Sequence, residues 1–172
     1  MSIWRGLLVA GLTTTIMTAN ADQETAAETP SPYLDVLDAC LNDTGETVAT
    51  DRNCIGVSVY ACLEGAFSTV DMLNCIEPER AYWDDRLNRA YRSLYAVYAE
   101  QDTEDGFSPV KLAPRLRDVQ RVWITWRDAK CGLAYDKYRG GSMGRITGAD
   151  CQLQETAERA LELEDLLDES SP

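Results

Sequence analysis

Histidine is absent from this chain of 172 residues, and its six cysteines never form a C-x-x-C pair. Without histidine, the sequence lacks the commonest general base and the base of the usual serine and cysteine triads. Without histidine or paired cysteines, it also lacks the patterns typical of zinc sites and thiol–disulfide oxidoreductases. We therefore expect a protein that is not an enzyme, with no catalytic, metal-binding or cofactor-binding residue.

Long apolar runs are also missing, because the stretch Gly6–Met17 is about a dozen residues long and a bilayer span needs about 20. This stretch follows Arg5 and precedes Ala19-Asn20-Ala21, which is the order of a secretory signal peptide. We expect residues 1–21 to be that signal peptide. No cysteine follows the predicted cleavage site, so we expect no lipid anchor there.

Positive charge is scarce, with 16 Lys and Arg against 29 Asp and Glu and a net charge of -13. An acidic surface repels phosphate, which excludes nucleic acid as an expected partner, and it favours basic proteins. Residues 22–32 are rich in Thr, Ala, Glu and Pro without periodicity and predict a disordered tether. Since 45% of the chain is hydrophobic, residues 33–168 are expected to form one domain with a single core.

No stretch alternates apolar and polar residues as a half-buried strand does, so the predicted fold is all-α. Apolar residues three and four apart predict short helices at Tyr33–Leu41 and Asp51–Leu63. Ser68-Thr69-Val70-Asp71 has the spacing of a capping box and predicts the start of a third helix. Pro78 is expected to interrupt that helix, and the main helix to run from there to about Glu100.

The remaining helices are predicted from similar apolar stripes. Trp83, Leu87, Ala90, Tyr91, Leu94, Val97 and Tyr98 form the stripe of the main helix. The next helix is predicted to start at Ser108-Pro109, with an inward stripe of Leu112, Leu116, Val119, Val122, Trp123 and Trp126. Gly140-Gly141-Ser142 then breaks the pattern, and Cys151–Leu167 predicts the last helix. These elements indicate a small antiparallel helical bundle.

Six cysteines behind a secretory leader indicate disulfide bonds that staple this bundle in an oxidising compartment. An antiparallel hairpin would bring together the cysteines that flank each helix junction. The pairs predicted on this basis are Cys131 with Cys151, Cys40 with Cys54, and Cys62 with Cys75. Pairing of Cys40 with Cys62 remains an alternative. Each predicted bridge is worth about 3 kcal/mol in the loop-entropy model.

Two pairs of neighbouring carboxylates are the remaining candidates for acid–base chemistry, namely Glu77 with Glu79 and Asp84 with Asp85. A glycoside hydrolase needs two carboxyl groups that face each other across a cleft. Successive residues of a helix point about 100° apart, so neither pair meets this need locally. We interpret both pairs as parts of solvated faces, and a carboxylate-dependent hydrolase is only a minor alternative.

Two spaced motifs occupy the middle of the chain: C-x3-E-x3-W-D-x2-L-N-x2-Y from Cys75 and Q-R-x-W-I-x-W-R-D-x2-C from Gln120. With Thr156-Ala157 and Arg159 they resemble the bacterial LprI-like lysozyme inhibitor family, formerly a domain of unknown function, over about residues 70–167. The motif residues that we single out are Glu79, Trp83, Asp84, Asn88, Tyr91, Gln120, Trp123, Arg127 and Asp128.

Most of these motif residues are interpreted as structural. Asn88 and Tyr91 on one helix are predicted to form a buried polar network with Arg127 and Asp128 on the next, because an unpaired buried polar group costs about 1 to 3 kcal/mol. Such a network would fix the register of the two helices. Trp123 and Trp126 lie on the apolar stripe, so both are expected in the core.

The resemblance implies an exported, non-enzymatic binding protein of the periplasm, or one secreted further, that inhibits lysozyme and protects the cell envelope. Common animal lysozymes are basic, so an acidic inhibitor would be steered towards them. Loops at the end of a bundle are exposed, which makes one of them our candidate partner-binding segment. Its residues are Gly140, Gly141, Ser142, Met143 and Arg145. The alternative is an envelope structural or interaction module without a lysozyme target.

Overall fold

The computed structural model describes residues 31–43 and 51–170 of the chain. The predicted signal peptide and nearly all of the predicted tether lie outside these residues. Within the described ranges the fold is all-α and has no strand, which confirms the predicted class. The five α-helices are α1 (Leu34–Asp43), α2 (Val57–Leu63), α3 (Thr69–Glu104), α4 (Leu112–Asp136) and α5 (Ser142–Ser170). Over the same ranges, no helix combines the length and the apolar character needed to cross a bilayer.

The three long helices form an antiparallel bundle in which α3 packs along α5 and α4 lies mainly against α5. Trp83 and Leu94 of α3 are completely buried against the inner face of α5. The buried apolar residues of α5 are Leu153, Ala157, Ala160, Leu161 and Leu163. Burial of each large side chain contributes about 1.5 to 3 kcal/mol, so the α3–α5 interface is the core of the fold.

Helix α3 begins as predicted but does not break at Pro78. The Asp71 amide donates to Ser68 Oγ (3.1 Å) and the Ser68 amide donates to Asp71 Oδ2 (3.0 Å), which completes the capping box. A proline inside a helix costs about 3 kcal/mol, yet α3 is continuous for 36 residues. Cys75 and Glu79 lie on either side of Pro78 and are fixed by a disulfide and by buried hydrogen bonds, so tertiary contacts override the local preference.

The predicted start of α4 at Ser108-Pro109 is wrong, because the helix begins at Leu112. Its cap comes from the end of α3. The Asp102 carboxylate accepts the amides of Leu112 (2.7 Å) and Ala113 (3.0 Å). Ser108 Oγ accepts the amide of Val110 (3.3 Å) within the connection instead. A carboxylate at a helix N-terminus also interacts favourably with the helix dipole. Asp102 therefore anchors the first turn of α4 to α3.

Helix α5 starts at Ser142, nine residues before the predicted start at Cys151. The glycine-rich stretch from Gly140 was expected to connect α4 to α5, but two of its glycines, Gly144 and Gly148, lie within the helix. A Cβ at Gly144 would stand 2.8 Å from the Tyr135 carbonyl oxygen, and one at Gly148 would stand 3.3 Å from Tyr135 Cβ. These glycines therefore allow α4 and α5 to approach closely near their connection.

The predicted helix Asp51–Leu63 is divided in two. A 3-10 turn occupies Arg52–Cys54, and α2 begins at Val57. Gly56 separates them with a φ of 91°, a left-handed conformation that glycine adopts without steric cost. The backbone therefore reverses here, and the amides of the first turn of α2 are directed towards α3.

Three disulfides fix the ends of the helices. Cys40–Cys54 joins α1 to the 3-10 turn, Cys62–Cys75 joins α2 to α3, and Cys131–Cys151 joins α4 to α5. These are the pairs expected from the helix junctions, and the alternative of Cys40 with Cys62 is wrong. The bridged cysteines are separated by 14, 13 and 20 residues, so each bridge closes a short loop.

The predicted inward face of α4 is largely wrong. Val119, Val122 and Trp126 are 46%, 70% and 50% exposed, and only Trp123 of the expected tryptophan pair is partly buried. The buried residues of α4 are Ala113, Leu116, Gln120 and Cys131. The inner face contains the polar Gln120, so an assignment from apolar residues alone selects the wrong face. Three large apolar side chains thereby form an exposed ridge, Val119, Val122 and Trp126, which we call the α4 ridge.

Candidate functional site

Glu79 does not lie on a solvated face as predicted. It is completely buried, and its carboxylate binds the start of α2. Oε1 accepts the Gly56 amide (2.5 Å) and Trp83 Nε1 (3.1 Å). Oε2 accepts the Ser58 amide (3.1 Å), Ser58 Oγ (2.7 Å) and the Val59 amide (3.2 Å). Five donors therefore offset the cost of burying this charge. Glu79 is a structural anchor that joins α2 to α3.

The other paired carboxylates also have structural partners. Glu77 forms an ion pair with Arg80, and this hydrogen bond lowers the pKa of Glu77. Asp84 Oδ2 accepts Asn88 Nδ2 (3.0 Å) one turn further along α3. Neither Glu79 nor Glu77 is placed to act with a second carboxylate across a cleft, which is the arrangement that glycoside hydrolysis requires.

A surface groove of about 530 Å³ lies between α3 and α4. Most of the singled-out motif residues come together here, although the two motifs lie far apart in the chain and on different helices. The lining residues are Asp84, Leu87, Asn88, Tyr91, Arg117, Gln120, Arg121, Trp123, Ile124 and Arg127. Each of the three arginines in this set forms an ion pair with an aspartate outside it: Arg117 and Arg121 with Asp118, and Arg127 with Asp128. We call this groove the motif groove.

The predicted buried network across α3 and α4 is wrong. Asn88 bonds to Asp84 on its own helix, and Arg127 donates to the neighbouring Asp128 through Nε (3.0 Å) and Nη2 (2.9 Å). Asp128 accepts Gln152 Nε2 of α5 (3.3 Å). Desolvation opposes ionisation of Asp128, but its hydrogen bonds prevail and lower the pKa of the carboxyl group. Of the side chains expected to fix register, Asn88, Tyr91 and Arg127 line an open groove instead.

A buried polar contact joins Arg159 of α5 to Gln120 of α4, with 3.0 Å between Nε and Oε1. Arg159 Nη1 donates to Glu162 (2.7 Å), and its guanidinium lies 5.8 Å from the centre of the Trp123 ring. Arg127 lies 5.0 Å from the same ring. A charged residue within the apolar stripe of α5 was the available sequence signal for this contact.

A second charged cluster was not anticipated from the sequence. Arg86 of α3 donates to Asp51 (2.6 Å) and to Glu164 of α5 (2.7 Å), and it lies 5.1 Å from the Trp83 ring centre. Burial opposes its charge, but the hydrogen bonds to Glu164 and Asp51 prevail and raise the pKa of Arg86. These partners are 35 and 78 residues away, so no local spacing could indicate them.

The candidate partner-binding segment is a tight turn followed by the first turn of α5. Gly140 has a φ of 84°, and the Gly141 amide donates to the Tyr138 carbonyl (2.9 Å). Ser142, Met143 and Arg145 are helical, and Met143 is 47% exposed. The Cys131–Cys151 bridge closes this end of the bundle. The segment therefore presents a fixed edge, and its role in binding remains a prediction.

The sequence is similar to two proteins described as uncharacterised. An uncharacterised protein of Rhizobium meliloti strain 1021 is 33% identical over 106 residues, which cover 60% of this chain and 76% of that protein. An uncharacterised 17.7 kDa protein of Rhodobacter capsulatus, from the puhA 5' region, is 29% identical over 124 residues, or 69% of this chain and 76% of that protein. No solved structure matches the chain significantly.

The family described as lysozyme inhibitor LprI matches residues 62–163. The match begins at the cysteine that bridges α2 to α3 and includes every residue that lines the motif groove. It also includes Glu79 and the Gln120–Arg159 contact. The resemblance predicted from the two spaced motifs is therefore confirmed, and the chain belongs to the lysozyme inhibitor LprI family.

Proposed function

We propose that this protein is an exported, non-enzymatic inhibitor of lysozyme that protects the bacterial cell envelope from the periplasm. The match to the lysozyme inhibitor LprI family over residues 62–163 carries this proposal. The three disulfides support it, because such bonds persist in oxidising compartments such as the periplasm.

The state of the carboxylates supports a binding role. An acid–base catalyst needs a carboxyl group within reach of substrate. Glu79 is buried and occupied by five donors, and Glu77 is paired with Arg80. Of the carboxylates that the sequence offered as candidates for hydrolysis, Glu79 thus holds two helices together and Glu77 has a partner on its own helix.

Charge supports a basic target. With 29 acidic and 16 basic residues, the chain attracts a basic protein at long range and accelerates the encounter. Animal lysozymes of the common type are basic, so we propose one of them as the target. The fixed edge at Gly140–Arg145 remains our proposed segment for the enzyme cleft, with Met143 and Arg145 as its exposed side chains.

The direct test measures how fast several lysozymes clear a peptidoglycan suspension in the presence of the oxidised protein. We expect slower clearing that saturates with inhibitor concentration. The double variant Met143→Ala/Arg145→Ala should weaken inhibition, whereas Arg89→Ala on the exposed side of α3 should not. Clearing that is unchanged at large molar excess for every lysozyme would exclude the inhibitor function.

The α4 ridge favours a second candidate function, an envelope interaction module without a lysozyme target. Contiguous exposed apolar side chains often mark protein–protein contacts. Under this alternative, the wild-type protein and not Trp126→Ala would capture one identified periplasmic protein, while lysozyme activity would be unaffected. Inhibition that survives Trp126→Ala would assign the ridge no part in lysozyme binding.

A further inference from the structure

A hollow of about 320 Å³, separate from the motif groove, lies where α2, α3 and α5 meet. Each helix contributes apolar walls: Val59 and Leu63 from α2, Met72 and Ile76 from α3, and Ile146 from α5. Val59 and Ile76 are only 6% and 2% exposed. The hollow is therefore continuous with the hydrophobic core but open to solvent.

One acidic group lines this apolar hollow. Asp150 of α5 is the only ionisable carboxylate among its lining residues. Desolvation raises the pKa of Asp150, and the charge of Glu79 acts in the same direction, while a hydrogen bond with Gln154 opposes them. Another polar group of this lining, the Thr147 hydroxyl, already bonds to the carbonyls of Met143 and Gly144. Within residues 31–43 and 51–170, no lysine or arginine acts on Asp150, so its charge lies beside an apolar surface with only Gln154 as a hydrogen-bond partner.

An aromatic ring lines the same hollow as this carboxylate. Tyr60 of α2 lines the hollow and is 72% exposed. A Cβ at Gly56 would stand 3.4 Å from the Tyr60 ring and 3.6 Å from Gln154 Nε2, so both side chains pack over that glycine. The ring is thus held near Gln154, the hydrogen-bond partner of Asp150. An accessible aromatic face attracts a cation within about 6 Å.

We propose that the hollow receives a lysine or arginine side chain of a basic protein partner, with its methylenes on the apolar walls and its charged end at Asp150 and Tyr60. Lysine and arginine bury an aliphatic stem while their charged ends keep polar contacts, which matches this combination of walls and carboxylate. An anion is disfavoured by Asp150 and by the net charge of -13. A neutral apolar ligand would leave the carboxylate without a counter-charge.

This inference rests on the proposed function in one respect, because it takes lysozyme as the basic partner. The hollow lies on α2, α3 and α5. It would add a second contact to the proposed segment at Gly140–Arg145. It also includes Gly56, Val59 and Tyr60, which precede the family match at residue 62. The part of the chain outside the matched region would therefore contribute to target choice.

The first experiment measures the affinity of the oxidised chain for a basic animal lysozyme by calorimetry. Asp150→Asn and Tyr60→Ala should each weaken binding by about five- to tenfold, as expected for one exposed charged or cation–π contact. Tyr60→Phe keeps the ring and should retain the wild-type affinity. Asp168→Asn is the matched control, since it removes the same charge from an exposed position of α5 about 27 Å further along the helix. Equal affinities for Asp150→Asn and Asp168→Asn would overturn the proposal.

A second probe separates this proposal from lysozyme inhibition. Butylguanidinium chloride is titrated into the labelled protein, and NMR shifts are followed at the Tyr60 ring and at the Met72 and Ile146 methyl groups. Saturable shifts in the wild type that are lost in Asp150→Asn would support the hollow even if no lysozyme were inhibited. Absent shifts, or shifts unchanged by Asp150→Asn, would refute a cation site, whatever the result with lysozyme.

Discussion

Glu79→Gln is the substitution that tests the buried anchor between α2 and α3 most directly. Glutamine has nearly the same shape as glutamate, so the change leaves packing intact and removes one acceptor oxygen together with the charge. In the wild type, both carboxylate oxygens accept: Oε1 from Gly56 and Trp83, and Oε2 from Ser58 and Val59. Every partner of this side chain is a donor, but glutamine offers only one acceptor oxygen. Its NH2 group must therefore point at donors on one side.

The magnitude follows from the number of donors left unpaired. With the amide nitrogen in the Oε1 position, two donors lose their acceptor, namely the Gly56 amide and Trp83 Nε1. An unsatisfied buried group costs about 1 to 3 kcal/mol, so the expected loss is about 2 to 6 kcal/mol. A domain of this size has a free energy of unfolding of roughly 5 to 15 kcal/mol. The variant should fold but lose a large fraction of its stability.

Urea denaturation of the oxidised protein, followed by tryptophan fluorescence and by far-ultraviolet circular dichroism, measures this loss. Keeping the disulfides intact holds the unfolded reference state constant. Ser58→Ala removes only the hydroxyl donor, which lies 2.7 Å from Oε2. It should cost about 1.5 to 3 kcal/mol, the range for a hydrogen bond to a charged group. The two variants together test whether the cost grows with the number of lost bonds.

Glu77→Gln is the matched control, because it makes the same chemical change two residues away at an exposed ion pair with Arg80. Surface ion pairs contribute about 0 to 1 kcal/mol, so this variant should remain close to the wild type. If Glu79→Gln were no more destabilising than Glu77→Gln, the reasoning about the buried carboxylate would be wrong.

Three further predictions concern stability measured by urea denaturation. Gly144→Ala should destabilise the protein by about 1 to 3 kcal/mol through overpacking against the Tyr135 carbonyl. Gly132→Ala, whose added Cβ meets nothing within 4 Å, should stabilise it by about 0.5 to 1 kcal/mol. Equal effects of the two changes would contradict the close approach of α4 and α5. Arg86→Ala removes the cation shared by two carboxylates and should lower the free energy of unfolding by about 3 to 5 kcal/mol. If the exposed control Arg89→Ala lowered it by as much, the stabilising role of the Arg86 cluster would be refuted. Because the pKa of Asp150 is raised in the folded state, its negative charge lowers the stability of the fold above that pKa, and this loss disappears as the pH falls through it. Asp150→Asn should therefore stabilise the protein more at pH 7 than at pH 4. A stability difference between variant and wild type that does not change with pH would contradict this.

Local signals in the sequence predict the elements whose causes are local. The capping box at Ser68 marks the start of α3 correctly, because both of its hydrogen bonds lie within four residues. The predicted start of α4 is wrong for the opposite reason. The helix is capped by Asp102, which accepts the Leu112 amide from ten residues earlier in the chain. The predicted helix break at Pro78 is wrong because buried contacts at Cys75 and Glu79 outweigh the local preference of proline.

The site is less predictable than the fold, because its side chains belong to different helices. The motifs single out Asn88 and Arg127, but they do not indicate that both residues line an open groove. Gln120 pairs with Arg159 across 39 residues, and a polar pair on an inner face is missed by any search for apolar stripes. The hollow at Asp150 combines residues from three helices, so no single segment reveals it.

The three disulfides have a consequence for biogenesis, because they connect the six cysteines strictly in order along the chain: first with second, third with fourth, and fifth with sixth. No bridge encloses or interlocks with another. An oxidant that couples each cysteine to the next unpaired one along the chain therefore produces the native set directly. Maturation in this order requires no reshuffling of mispaired thiols, and an isomerase has no step to perform.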